Sequence, residues 1–270
     1  MNRPLPRRAA WVLAALAATL LAGCASKSTP TTPQPPEPPP PVRQQEASPQ
    51  YRAQLHTELG AGYYERGQMD VAVEELNAAV KLDPNNARAY NIFGLVYAML
   101  GENAKAEQSF QRALQLAPQD SEIRQNWGWY LCSRGGARES IAEFEAALRN
   151  PLYKTPEIAL VNAGRCSAAY GDVRAAESYY RRALQASPGN PTANYGLALL
   201  AYKEARYADA RAWMKPVMQQ VAPPPEALFL GMCIERRLND RPAELSYASQ
   251  LRNRYPDSAE TKAIAGGTCE

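Results

Sequence analysis

The chain has 270 residues, of which 46% are hydrophobic and 21% charged, enough for one large domain or an array of repeats. Its formal net charge is +3, and residues 1–23 carry Arg3, Arg7 and Arg8 without an acid, so the remainder balances 27 bases against 27 acids. No Lys/Arg cluster of the kind that displaces counterions from phosphates is present, and a nucleic-acid partner is not expected.

The first segment reads as an address. Arg3, Arg7 and Arg8 form a basic start, and Ala9 to Leu20 is apolar but too short to span a bilayer comfortably. It ends in Leu21-Ala22-Gly23-Cys24, which resembles a lipobox, with the Cys24 thiol as acceptor of a diacylglycerol. The alternative is an ordinary signal peptide with a chance cysteine, but all three parts agree on lipidation. Arg7-Arg8 lacks the rest of a twin-arginine signal. Ala25 stands where lipoproteins retained at the inner membrane carry Asp, so the expected location is the outer membrane, with the domain facing the periplasm. Residues 24–50 follow as a tether. Pro30, Pro33, Pro35, Pro36, Pro38 to Pro41 and Pro49 favour an extended spacer of about 3.1 Å per residue where polyproline II forms.

From residue 51 the chain repeats itself. Gly60, Gly94, Gly128, Gly164, Ala198 and Gly231 recur at steps of about 34 residues. Twelve residues later stand Ala72, Ala106, Ser140, Ala176, Ala210 and Ala243, and four further on the larger Leu76, Phe110, Phe144, Tyr180, Met214 and Tyr247. Pro84, Pro118, Pro151, Pro188, Pro223 and Pro256 close the units, since proline cannot continue a helix interior. This is the tetratricopeptide pattern. It predicts an all-α fold, a right-handed solenoid of six helix hairpins over 51–257, with units 53–86, 87–120, 121–156, 157–190, 191–223 and 224–257. Gly67, Gly101, Gly135 and Gly171 mark the turns inside four hairpins, while Ala205 and Leu238 occupy that place in the last two. Unit three carries an insert, Asn150 to Pro156. Residues 258–270 are too short for a further unit and read as a frayed helix or a tail.

Chemistry is sparse. His56 is the chain's one histidine and has no ligand partners at metal spacing. No nucleophile elbow and no phosphate loop occurs, so no catalytic residue, cofactor, metal or small-molecule substrate is expected. The cysteines say more, because an exported chain meets an oxidising compartment. Cys132 and Cys166 lie on first helices of adjacent units and are expected to pair, the alternative being two buried thiols. Cys233 and Cys269 are a second candidate pair. The inward positions of the first helices give a partner groove of Thr57, Tyr64, Asn91, Leu95, Gln125, Trp129, Val161 and Arg165, suited to a peptide or helix.

Asn126-Trp127-Gly128-Trp129-Tyr130-Leu131-Cys132, the insert Asn150-Pro151-Leu152-Tyr153, Asn162-Ala163-Gly164-Arg165-Cys166, Tyr202 to Tyr207 and Leu251 to Pro256 carry a resemblance. Together with the lipobox they resemble the type IV pilus biogenesis/stability lipoproteins of the PilF/PilW type. The resemblance implies a pilotin: a membrane-anchored, non-catalytic scaffold whose partner is the type IV pilus secretin subunit, acting in its outer-membrane localisation and multimerisation and hence in twitching motility. Two other readings stand beside it. One is a repeat lipoprotein of the outer-membrane β-barrel assembly machinery; the other is a cell-wall hydrolase with appended repeats, which would need a catalytic constellation.

Overall fold

A computed structural model describes residues 48–267 and 269; the signal segment, Cys24 and the tether up to residue 47 lie outside them. The described residues form thirteen helices and no strand. Twelve of them pair as hairpins: α1 (Pro49–Glu65) with α2 (Met69–Leu82), α3 (Ala87–Met99) with α4 (Asn103–Leu116), and α5 (Ser121–Ser133) with α6 (Ala137–Leu148). The series continues with α7 (Pro156–Ala169) and α8 (Val173–Ala186), α9 (Pro191–Lys203) and α10 (Tyr207–Met218), and α11 (Pro225–Arg237) and α12 (Arg241–Arg254). A short α13 (Ala259–Ala265) follows. The all-α solenoid read from the periodicity is the observed architecture.

Local chemistry sets the helix starts. Asn86, Asp120 and Asn190 each accept a backbone N–H in the first turn of a first helix, and Asp172 and Asp240 do so for second helices. Proline opens α7, α9 and α11, where its missing N–H leaves no helical bond unmade. Gly67, Gly101, Gly135 and Gly171 take the turns inside hairpins one to four at positive φ. In hairpin five Ala205 takes that conformation at φ 59°; in hairpin six it is Asn239 at φ 62°, not Leu238.

That one-residue offset corrects the register of unit six. The core position held by Ala72, Ala106, Ser140, Ala176 and Ala210 falls on Glu244, not Ala243, and every one of these residues is buried. The position of the large side chains Leu76, Phe110, Phe144, Tyr180 and Met214 falls on Ala248, not Tyr247. The position of Gly60 and its counterparts falls on Met232, not Gly231, which restores a step of 34 from Ala198. Unit six therefore reverses the volumes: Met232 and Ala248 pack together where units two to four set a glycine against a ring. Gly231, the small residue that mimics the repeat marker, lies one residue before Met232.

Each first helix packs on its own second helix and on its first-helix neighbours, α1 on α3 through α11 on α13. Among the described residues no two second helices approach each other at the backbone, and they meet through long side chains, as where Arg182 of α8 reaches Glu145 of α6 at 3.0 Å. The first helices thus form the closer-spaced inner layer and the second helices the outer one, so the stack curves with the first helices inside. The N-terminal bound of the first hairpin departs from expectation. Ser48 to Gln50 belong to the first hairpin rather than to the tether, because Ser48 accepts the Tyr51 N–H at 3.1 Å and Pro49 occupies the first turn of α1. The tail is ordered by α13, whose N-cap Ser258 accepts the Thr261 N–H at 3.1 Å.

Candidate protein-docking groove

The eight expected groove residues do not share one environment. Thr57, Asn91, Gln125 and Val161 are 1, 2, 7 and 7% exposed and are closed to a partner. They fill the seam between neighbouring first helices, where polar side chains satisfy one another. Thr57 donates to the Ala53 carbonyl at 2.7 Å and accepts from Asn86 at 2.9 Å, while Asn91 accepts from Asn126 Nδ2 at 3.2 Å. Side chains of this size let adjacent first helices close over them. Tyr64, Leu95 and Trp129 are half-buried against the core, and Arg165 is exposed.

The same register continued by 34 residues leads to Tyr195, Leu199 and Tyr202 on α9 and to Phe229 and Cys233 on α11. Here the seam does not close. These side chains line a cavity of about 590 Å³ that is completed by Tyr207 and by Ala259, Glu260 and Ala263 of α13. Bulk is the difference: Tyr195 and Phe229 stand where Thr57 and Asn91 stand in the first units. The sequence carries this signal, because steps of 34 residues from Val161 and Arg165 reach Tyr195, Leu199 and Phe229.

Disulfides bracket this half of the stack. Cys132 of α5 is bonded to Cys166 of α7, Cα atoms 5.9 Å apart. Cys233 of α11 is bonded to Cys269, Cα atoms 5.6 Å apart. The second bond makes the tail a wall of the cavity. Tyr202 Oη donates to the Cys269 carbonyl at 3.1 Å, and Arg236 donates to the Gly267 carbonyl at 3.1 Å. Tyr202 and Tyr207 rings lie 5.5 Å apart, and the Arg237 guanidinium stands 5.9 Å above the Tyr207 ring. Burial pushes the Tyr195 phenol above its ordinary pKa, and Glu226 and Glu260 push the same way while Arg165 opposes them.

Two buried carboxylates stabilise the end of the stack without forming a reactive centre. Glu235, 6% exposed, is paired with Arg211, which also reaches Asp240 at 3.3 Å. Glu244, 5% exposed, accepts from Arg236 at 2.9 Å and Arg241 at 2.8 Å. Burial alone would raise the Glu244 pKa, but the Arg241 and Arg236 hydrogen bonds outweigh it and hold the group below its ordinary value. His56 Nδ1 lies 2.7 Å from Glu75 Oε2, within hydrogen-bonding distance. Among the described residues no group of three or more His, Cys, Asp or Glu is placed to hold a metal, and no helix is long and apolar enough to cross a membrane.

Comparison with known proteins places this architecture. Models of the TPR repeat match residues 60–101, and models of the tetratricopeptide repeat match 87–120, 126–191 and 167–228. The crystal structure of PilW, described as a widely conserved type IV pilus biogenesis factor, is 34% identical. It superposes with a TM-score of 0.72 over 79% of this chain and 98% of that one. The chain belongs to the PilF/PilW family of tetratricopeptide-repeat proteins. The type IV pilus assembly protein PilF of Pseudomonas aeruginosa is 26% identical over 205 residues, 76% of this chain and 81% of that protein. A Pseudomonas aeruginosa PilF structure gives a TM-score of 0.71 at 25% identity, over 80% of this chain and 98% of that one. The cavity of units five and six is a feature the repeat signature alone does not specify.

Proposed function

We propose that this protein is an outer-membrane lipoprotein, anchored through acylated Cys24 and facing the periplasm, that binds the type IV pilus secretin subunit. In this reading it promotes outer-membrane localisation and multimerisation of the secretin, and so pilus biogenesis. The observation that carries it is the likeness to PilW along nearly the whole of that chain, a named type IV pilus biogenesis factor. The physical case is compatible: a stack of packed hairpins offers an extended inner surface, and its buried carboxylates are engaged by arginines rather than poised for proton transfer. The role is binding, not turnover.

Deletion of the gene, followed by immunoblotting of the secretin in separated membranes, tests this. Loss of secretin multimers from the outer membrane and loss of twitching, both restored by the wild type but not by Cys24→Ala, is the expected result. Normal multimers together with a general loss of outer-membrane β-barrels would overturn it in favour of a barrel-assembly role.

A further inference from the structure

The cavity between α9, α11 and α13 has a chemical direction. α9 and α11 run side by side in the same sense, since Tyr195 near the start of α9 feels Glu226 of α11 and Glu260 of α13, while Arg237 at the end of α11 stacks on Tyr207 just beyond α9. The end nearest the helix starts is therefore acidic, with Glu226 and Glu260. The other end is basic, with Lys203 and Arg237, the last residues of α9 and α11. Between them lies an apolar floor of Tyr195, Leu199, Phe229 and the Cys233–Cys269 bond. Acids in a first turn and bases in a last turn also suit the helix dipole, so charge placement alone assigns nothing. The unfilled aromatic floor between the two charged ends is the second observation.

We propose that this groove binds an extended peptide segment of the partner, with apolar side chains at its centre, a cationic side chain toward Glu226 and Glu260, and a carboxylate toward Lys203. This deepens the scaffold reading above and rests on it. The span follows from helix geometry. Eight residues from Tyr195 to Lys203 and eleven from Glu226 to Arg237 give about 12–16 Å, which an extended chain covers in about four or five residues. An acyl chain would satisfy the floor but neither charged end. A strand-like peptide satisfies all three and presents its carbonyls to the Tyr195 and Tyr207 hydroxyls.

The test uses the full chain and fluorescent synthetic hexapeptides carrying two leucines at alternate inner positions. One peptide has lysine at its first and aspartate at its last position, a second has these exchanged, and a third has serine at both. One of the two charged peptides should bind at least about tenfold more tightly than the other two, as expected when a partly desolvated charge pair is matched rather than opposed. The exchange variant Glu226→Lys/Lys203→Glu, made at two exposed positions with net charge conserved, should reduce that preference at least tenfold. Equal affinities for all three peptides, or no binding, would overturn the proposal while leaving the secretin result above untouched. Concentration-dependent self-association of the protein that the exchange variant abolishes would give the groove to a second copy and would equally overturn it.

Discussion

Tyr180 shows how single residues hold the repeats in register. A Cβ at Gly164 would lie 2.7 Å from its ring, and one at Gly196 would collide with the same ring from the next unit. The ring is thus held between two glycines and cannot retreat. Gly164→Ala is expected to destabilise by about 1–3 kcal/mol through overpacking, outweighing the helix-propensity gain of at most about 1 kcal/mol. Gly62→Ala is the control, because only the flexible end of Arg66 lies near, at 3.6 Å, and it should gain stability. Urea denaturation of both variants checks the pair. Burial also pushes the Tyr180 phenol up to about 12, with Arg165 opposing, and Tyr179 is pushed up to about 12 by burial with Glu145 adding. A pKa raised in the folded state means full stability below the unfolded value of 10.0 and progressive loss as pH rises toward about 12. Stability measured against pH should fall across that window, and Tyr180→Phe should make the fall shallower.

At the scale of the hairpin, unit six carries the sharpest expectation. Glu244 occupies the place of a small residue, and its charge is accepted there because Arg236 and Arg241 converge on it. Removing both arginines would leave a buried carboxylate unpaired, at about 3–5 kcal/mol. Glu244→Ala should cost less, since Ala or Ser holds this place in every other unit. Because the folded Glu244 pKa is depressed, its contribution is present above the ordinary value of 4.5 and is lost as pH falls below it. Glu244→Gln should flatten that acid limb in thermal melts. The hairpins themselves were legible because the small, large and proline positions recur in phase over six units. Unit six was misread by one residue because it exchanges large and small partners, and single-position residue type does not reveal a paired exchange. The groove was legible in register but not in openness, since whether Asn91 or Tyr195 closes a seam depends on the facing helix.

Across the whole stack, neighbouring hairpins share their cores, so stability spreads along the array. The Cys132–Cys166 bond staples two units already joined by Phe144, Leu160 and Tyr180. The Cys233–Cys269 bond instead ties α13 to α11, and with a loop of this length should contribute about 3–4 kcal/mol. Reduction is expected to release backbone protection in residues 259–265 before it does so in α7 and α8, which hydrogen exchange with mass spectrometry reads directly.

Under the proposed function, the inner layer of first helices, and not the outer layer, receives the secretin. A photoreactive phenylalanine analogue placed at Leu199, which lines the cavity, or at the exposed Ser178 of α8 tests it in living cells. Cross-linking of the secretin at position 199 and not at 178 is the result expected. Adducts at 178 with none at 199 would contradict it.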